Sequence, residues 1–231
     1  MAPSTGLDWV FWNGLYKDGA PDGACSETAF PHSTGRGSGR NLLPMSTILE
    51  IPEVRQRVSR LSVEEYHRLD QFNENGRRTE LIRGIAIEKM SKSPLHRSIG
   101  KRLYDSIARI LPKGFLVYQE APLTLADSEP EPDISVVHGV ESDFLASHPS
   151  TAELVIEVAV SSPTLDRENA SLYAEALVKE YWIVLDPQQQ VEVYRQPESG
   201  RYQEKRVFGP DETLDCSSIP AVRIRISDLF A

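Results

Sequence analysis

The run from Glu153 to Val160, ELVIEVAV, constrains this chain more than any other stretch, because after its first residue it is apolar on both faces except at Glu157. A Val- and Ile-rich run of this length predicts a strand buried on both sides, at the centre of a sheet covered by helices. A carboxylate inside such a strand is costly, since a buried charge must be paired or bind a cation. Glu157 therefore either reaches solvent or an Arg near the strand's C-terminal end, or belongs to a working site. Ligand sites in α/β sheets gather at strand ends.

With 231 residues, 40% of them hydrophobic, the chain can bury one good core and is short for two full domains. Its formal net charge of -9 argues against nucleic-acid binding through a broad basic surface. A local basic groove stays open, and an acidic balance suits carboxylates gathered around a divalent cation. Cys25 and Cys216 stand far apart and outside any metal-ligand spacing, so neither a zinc site nor a disulfide framework is expected. No stretch reaches the roughly 18 apolar residues of a membrane span, and the N-terminus lacks a secretory signal's basic flank and apolar stretch. A soluble, cytoplasmic protein without membrane contact is the expectation.

Residues 1–44 differ from the rest, mixing Trp9, Phe11, Trp12 and Tyr16 with the run PHSTGRGSGR and showing no helical or strand period. Such a segment buries too little apolar surface to offset its ordering entropy. The expectation is one folded domain over 45–231, beginning near Met45, preceded by a disordered tail or a mis-called upstream extension. Ser62 to Glu65 reads as a capping box launching the helix VEEYHRLDQF. TELIRGIAIEKM reads as a hairpin turning at Arg83-Gly84. Ser93-Pro94 opens a helix with Leu95, Ile99, Leu103, Ile107 and Ile110 on one face, stopped by Pro112 and Gly114.

FLVYQEAPLTL reads as a strand with an irregularity at Pro122, suited to an edge or a bulge. DSEPEPDISVV is a Pro-punctuated approach that delivers Asp133 at the mouth of a short apolar strand. After the central strand come the helix LDRENASLYAEALVKE, the buried strand YWIVLD with Tyr181 and Trp182 as core, a hairpin around PESG and the short strand VRIRI. The pattern predicts a mixed α/β fold, a central sheet with helices packed on it and added hairpins.

Three carboxylates stand out by position: Glu80 at the start of the first hairpin, Asp133 after EPEP, and Glu157. Each has an ordinary explanation alone, as a surface strand residue or a turn cap. Together, an acid at the mouth of one strand and another inside its neighbour can offer oxygens to one hard cation such as Mg²⁺, which keeps waters free to attack a phosphodiester. His67, His138 and His148 show no metal-ligand spacing, Gly84 and Gly100 stand alone rather than in a phosphate loop, and no G-x-S-x-G elbow occurs.

The motifs SVEEYHRL, RTELIRG, MSKSPLHR, EPDISVV, LVIEV and LYAEALVKEYWIV occur in order from about Met45 onward. In them the chain resembles the large bacterial Uma family of putative restriction endonucleases, a branch of the PD-(D/E)XK nuclease superfamily. The resemblance implies a restriction-endonuclease-like core. Asp133 and Glu157 match the family's metal-binding acids, Glu80 the acid of its N-terminal motif, and His96 a recurrent His at the helix opening. In E-x-K the Lys follows the acid by two residues on the same strand face, and here that position is Ala159. Relatives without it carry a Lys four residues before the Tyr of the LY pair, and here that position is Asn169.

The resemblance therefore implies a nuclease using Mg²⁺, or Mn²⁺, held by Asp133, Glu157 and Glu80, with Asn169 in the place of the water-orienting lysine and adding no charge. Arg167, Lys179 and Lys92 are the nearby cations that could replace it. Nucleic acid, DNA in the first place, is the expected partner, gripped by Arg78, Arg83, Lys92, Arg97 and Arg102. Oligomeric state stays open, with a symmetric homodimer and the C-terminal hairpin as one candidate interface. The alternatives are a lapsed nuclease fold that binds nucleic acid or protein, and a different metal-dependent hydrolase.

Overall fold

The computed structural model describes residues 49–70 and 76–230; the expectations for residues 1–44 and for a start near Met45 lie outside them. The chain divides into two units, Met1–Val54 and Arg55–Ala231, and every element below belongs to the second. In chain order these are α1 (Val63–Asp70), β1 (Thr79–Ile82), β2 (Ile85–Glu88), α2 (Pro94–Ile110), β3 (Phe115–Gln119), β4 (Ile134–His138), β5 (Leu154–Ala159), α3 (Thr164–Glu175) and β6 (Glu180–Leu185). They continue with β7 (Gln190–Glu198), β8 (Arg201–Phe208), β9 (Thr213–Asp215), β10 (Arg223–Arg225) and α4 (Ser227–Phe230).

Strands β3 to β8 form one sheet in sequence order, and only the β5–β6 pair is parallel. Parallel neighbours need a crossover, and α3 supplies it. The sheet is thus mixed, as expected. ELVIEVAV lies third in it, with Glu157 the one residue of β5 that is only partly covered.

Alternation along β5 sorts its side chains. Leu154, Ile156 and Val158 join Ile99, Leu103 and Ile107 of α2 in one core, which also takes Leu214, Ile224 and Leu229 from the C-terminal elements. Val155 and Ala159 join Leu172 and Tyr173 of α3 in the other. Glu157 shares the parity of Val155 and Ala159 and so belongs to the α3 face. Tyr181 and Trp182 are fully buried core residues.

Local signals hold where short-range chemistry decides. Ser62 and Glu65 exchange the two bonds of a capping box, Ser62 N–H to Glu65 Oε2 at 2.8 Å and Glu65 N–H to Ser62 Oγ at 3.2 Å. The first hairpin turns at Arg83 (φ 52°) and Gly84 (φ 77°), the two positive φ values of a two-residue loop. Three expectations need correction. The helix read over residues 165–180 ends at Glu175, because Leu177 turns to φ 58°, and Glu180 already opens β6. Leu95 is exposed, and the buried stripe of α2 begins one turn later, at Ile99. β3 stops at Gln119, because Glu120 turns to φ 51° and leaves the extended region before Pro122 is reached.

Candidate active site

Ile134 of β4 lies opposite Ile156 of β5, so one step outward in this antiparallel register sets Asp133 opposite Glu157. The two residues close the ladder with their side chains. Asp133 N–H donates to Glu157 Oε2 at 3.2 Å, and Val158 N–H donates to Asp133 Oδ2 at 2.8 Å. From α3, the hydroxyl of buried Tyr173 donates to Glu157 Oε1 at 3.1 Å. Both carboxylates are therefore held by backbone N–H groups at the end of the sheet, and Glu157 also by a buried hydroxyl of α3.

Ser93 caps α2, its Oγ accepting His96 N–H, and Pro94 takes the first helical position. This local geometry aims two side chains at Asp133. His96 Nε2 lies 3.0 Å from Asp133 Oδ2. The ammonium of Lys92 bonds Asp133 Oδ1 and lies 3.0 Å from Glu120 Oε1. On the hairpin side, Glu131 N–H donates to Glu80 Oε2 at 3.3 Å, and Lys89 Nζ donates to the Glu131 carbonyl at 2.7 Å.

A cleft of about 310 Å³ runs between these elements, lined among others by Glu80, Lys92, His96, Asp133, Glu157 and Asn169. The three sequence-predicted acids thus share one cavity with Asn169. Asn169 is buried, and its side chain makes no hydrogen bond among the described residues. Ala159 also lines the cleft and brings no charge. Among the described residues no three His, Cys, Asp or Glu side chains are drawn tightly enough together to hold a metal ion. Glu80 accepts from the Glu131 N–H and lies 3.8 Å from Lys89, while Asp133 is engaged by Lys92 and His96.

Two lining acids, Asp166 and Glu131, were not singled out by sequence reasoning. For Asp166 a signal existed: it precedes Asn169 by three residues and Tyr173 by seven, which places all three on one stripe of α3. Burial, and then the charge of Asp133, push Glu157 well above the usual carboxylate range. Burial, Asp133 and Glu80 raise Asp166 to about 6. Burial also works against the Asp133 anion, but the His96 bond and the Lys92 charge outweigh it and leave Asp133 below its ordinary value. Burial works against the Lys92 ammonium in turn, and Asp133 and Glu120 overcome it, so its pKa is raised.

Other predicted cations lie elsewhere. Arg83 forks onto Glu175 (2.8 Å to Oε1) and Asp127, Arg102 donates to the Leu229 carbonyl at 2.9 Å, and Arg167 holds Glu192 at 2.6 Å. Lys179 is exposed and does not line the cleft. Arg78 pairs with Glu120 and Glu131. Arg97 is exposed and lines two grooves that also include Lys92. His67 sits 2.7 Å from buried Glu129, away from the cleft.

A family model described as Uma2, putative restriction endonuclease, matches residues 63–227. Among solved structures, a putative nuclease belonging to DUF820 from Anabaena variabilis is similar, with a TM-score of 0.63 and 24% identity over 74% of this chain and 97% of that one. At that identity the likeness concerns the fold. No curated protein matches the chain. Among the described residues no helix is long and apolar enough to cross a membrane.

Proposed function

The chain belongs to the family described as Uma2 putative restriction endonucleases, and from that premise we propose that it is a divalent-metal-dependent nuclease hydrolysing phosphodiester bonds of DNA. The observation that carries the reading is the charge of the cleft. Glu80, Glu131, Asp133, Glu157 and Asp166 line it against two ammonium groups, Lys89 and Lys92, with His96. Buried like charges need compensation, and an all-oxygen donor set suits a hard cation such as Mg²⁺ or Mn²⁺. Asp133 and Glu157 would hold the ion, with Glu80 behind them. Bound there, such an ion supplies Lewis-acid stabilisation of the phosphate and lowers the pKa of a water.

The chain's own residues prepare the rest. Val158 N–H fixes the Asp133 carboxylate and Tyr173 fixes that of Glu157, so neither needs to reorganise when charge develops. The Asn169 carboxamide, with no protein partner among the described residues, is free to orient the attacking water. In the hydrolysis the water oxygen forms the new bond to phosphorus while the bond to the leaving sugar oxygen breaks. One water proton passes to solvent, and the leaving oxygen takes one up.

The test is supercoiled plasmid with Mg²⁺ or Mn²⁺ beside a Glu157→Ala control. Nicking by the wild type and none by the variant is expected. Cleavage that survives the substitution reports contamination. Ala159 and Asn169, neutral where a lysine stands in relatives, favour one second reading, a lapsed nuclease fold that only binds. No cleavage together with a retained rise in melting temperature on adding Mn²⁺ would select it.

A further inference from the structure

Resting on the nuclease reading, we infer that Lys92 is the cationic catalytic residue of this cleft, sharing the Asp133 carboxylate with the divalent ion and presenting its remaining N–H to the attacked phosphate. The inference begins from donor counting. An ammonium has three N–H donors. Asp133 and Glu120 take two of them from Lys92, which leaves one for a ligand in the cleft that Lys92 lines. Lys89, the other ammonium there, donates to the Glu131 carbonyl and lies 3.4 Å from the Glu131 carboxylate and 3.8 Å from Glu80, so it is held by Glu131 and Glu80 and makes no ion pair with Asp133 or Glu157.

Position separates the two lysines as well. Lys92 is bonded to Asp133, whose backbone N–H reaches Glu157; it therefore stands beside the acid pair. The wall that carries Ala159 and Asn169 offers no positive charge to replace it, since both are neutral and Asp166 beside them is an acid. Lys92 also cannot drift away. It immediately precedes the Ser93 cap and Pro94, which pin the chain at the start of α2, and its side chain is 19% exposed. A positive charge held in a largely desolvated cleft beside a phosphate whose oxygens gain charge stabilises the transition state, and loss of one such preorganised donor costs about 10²–10³ in rate. Lys92 keeps its proton throughout.

This role has a signature that a merely structural lysine would not leave. Lys92 and a divalent ion compete for the same carboxylate, so removing the ammonium should strengthen metal binding while weakening catalysis. A lysine needed only for packing would weaken both. The experiment compares wild type, Lys92→Met and the double variant Lys92→Met/Asn169→Lys, each full chain, by circular dichroism, by Mn²⁺ titration calorimetry and by plasmid nicking.

The expected result is a folded Lys92→Met protein that binds Mn²⁺ about 5-fold or more tighter, a modest coupling for unit charges a few ångströms apart, and nicks about 100-fold more slowly. Asn169→Lys, which returns a charge from the opposite wall, should recover at least about 10-fold of the lost rate and relax Mn²⁺ affinity toward the wild-type value. Unchanged or weaker Mn²⁺ binding by folded Lys92→Met overturns the shared carboxylate. Nicking within about 3-fold of wild type overturns the catalytic role. If Lys92→Met does not fold, Lys92→Gln, which keeps a polar group beside Asp133 and Glu120 but removes the charge, decides by the same readouts: tighter Mn²⁺ binding with slower nicking supports the inference, and unchanged or weaker binding overturns it. A wild type that nicks nothing while Lys92→Met binds Mn²⁺ more tightly defeats the nuclease reading and the catalytic role with it, and leaves the competition for Asp133 standing.

Discussion

Neighbouring residues of α3, Asp166 and Arg167, attend two acids under opposite stress. Asp166 itself is raised to about 6, by burial first and then by Asp133 and Glu80. Glu192, although burial works against its charge, is held down at about 2 by Arg167, Tyr194 and Lys205. The signs for stability follow from linkage. The folded chain binds the Asp166 proton more tightly than the unfolded chain, so stability falls as pH rises from about 4 to about 6 and stays lower above. Glu192 behaves conversely, contributing stability above its unfolded value near 4.5 that is lost as pH falls toward about 2. Thermal melts without metal should therefore show Asp166→Asn more stable than wild type at pH 7, on the order of 2 kcal/mol after discounting its partial exposure, with the gain gone by pH 4. Glu192→Gln should be less stable at pH 7. Equal effects of either variant at both pH values would remove the distinction between a strained site acid and a satisfied structural one. The strained one went unread in the sequence: its helical spacing to Asn169 and Tyr173 placed it on their stripe, but its stress depends on Asp133 and Glu80, brought close only by the fold.

At the scale of elements, the helix and hairpin signals that proved readable were those decided within a few residues. The Ser62–Glu65 exchange, the Arg83–Gly84 turn and the Ser93-Pro94 opening all specify their own bonds locally. The end of α3 was not readable. Val178 N–H donates to the Tyr173 carbonyl at 3.0 Å and Leu177 N–H to that of Ala174 at 3.1 Å, with Leu177 at φ 58°, which is a Schellman ending built without glycine. An ordinary L-residue in that conformation costs roughly 1–2 kcal/mol, and the exposed Leu177 side chain contributes little packing in return. Leu177→Gly should stabilise the protein by about 0.5–1 kcal/mol, because glycine's freedom in the unfolded chain offsets part of the relief. A lower denaturation midpoint for Leu177→Gly would mean that the leucine makes a contact worth more than the strain. The same absence of a local marker hid the end of β3: Glu120 turns to positive φ without a glycine, and that turn brings its carboxylate to Lys92 and Arg78. Lys92 was itself only one of three interchangeable cations in the sequence. Its choice is made by the placement of α2 against β4, a tertiary fact.

Across the whole molecule, the proposed nuclease function makes a chain of formal net charge -9 meet a polyanion, so on that reading affinity for nucleic acid comes from a few local cations rather than from the average surface. The outer strand of the C-terminal hairpin, β8, carries Arg201, Glu204, Lys205 and Arg206 along its length, and charged edge strands discourage strand-to-strand pairing. That weakens the case for this hairpin as a dimer interface formed by sheet extension. The cations differ sharply in availability. Arg83 and Arg102 are spent within the protein, whereas Arg97 is exposed in the grooves that also take in Lys92 and makes no ion pair among the described residues. A phosphate contact by one cation contributes about 0.9 to the slope of log affinity against log salt. Arg97→Ala should therefore weaken binding to a short duplex irrespective of its sequence and lower that slope by nearly one unit, measured by fluorescence anisotropy at several salt concentrations with Glu157→Ala as background to prevent cutting. Arg102→Ala should leave the slope where it was and instead lower the melting temperature, since its guanidinium ties α2 to the Leu229 carbonyl. Equal slopes for Arg97→Ala and its parent would move the nucleic-acid path off this groove, and a loss of slope in Arg102→Ala would place it further along the same helix.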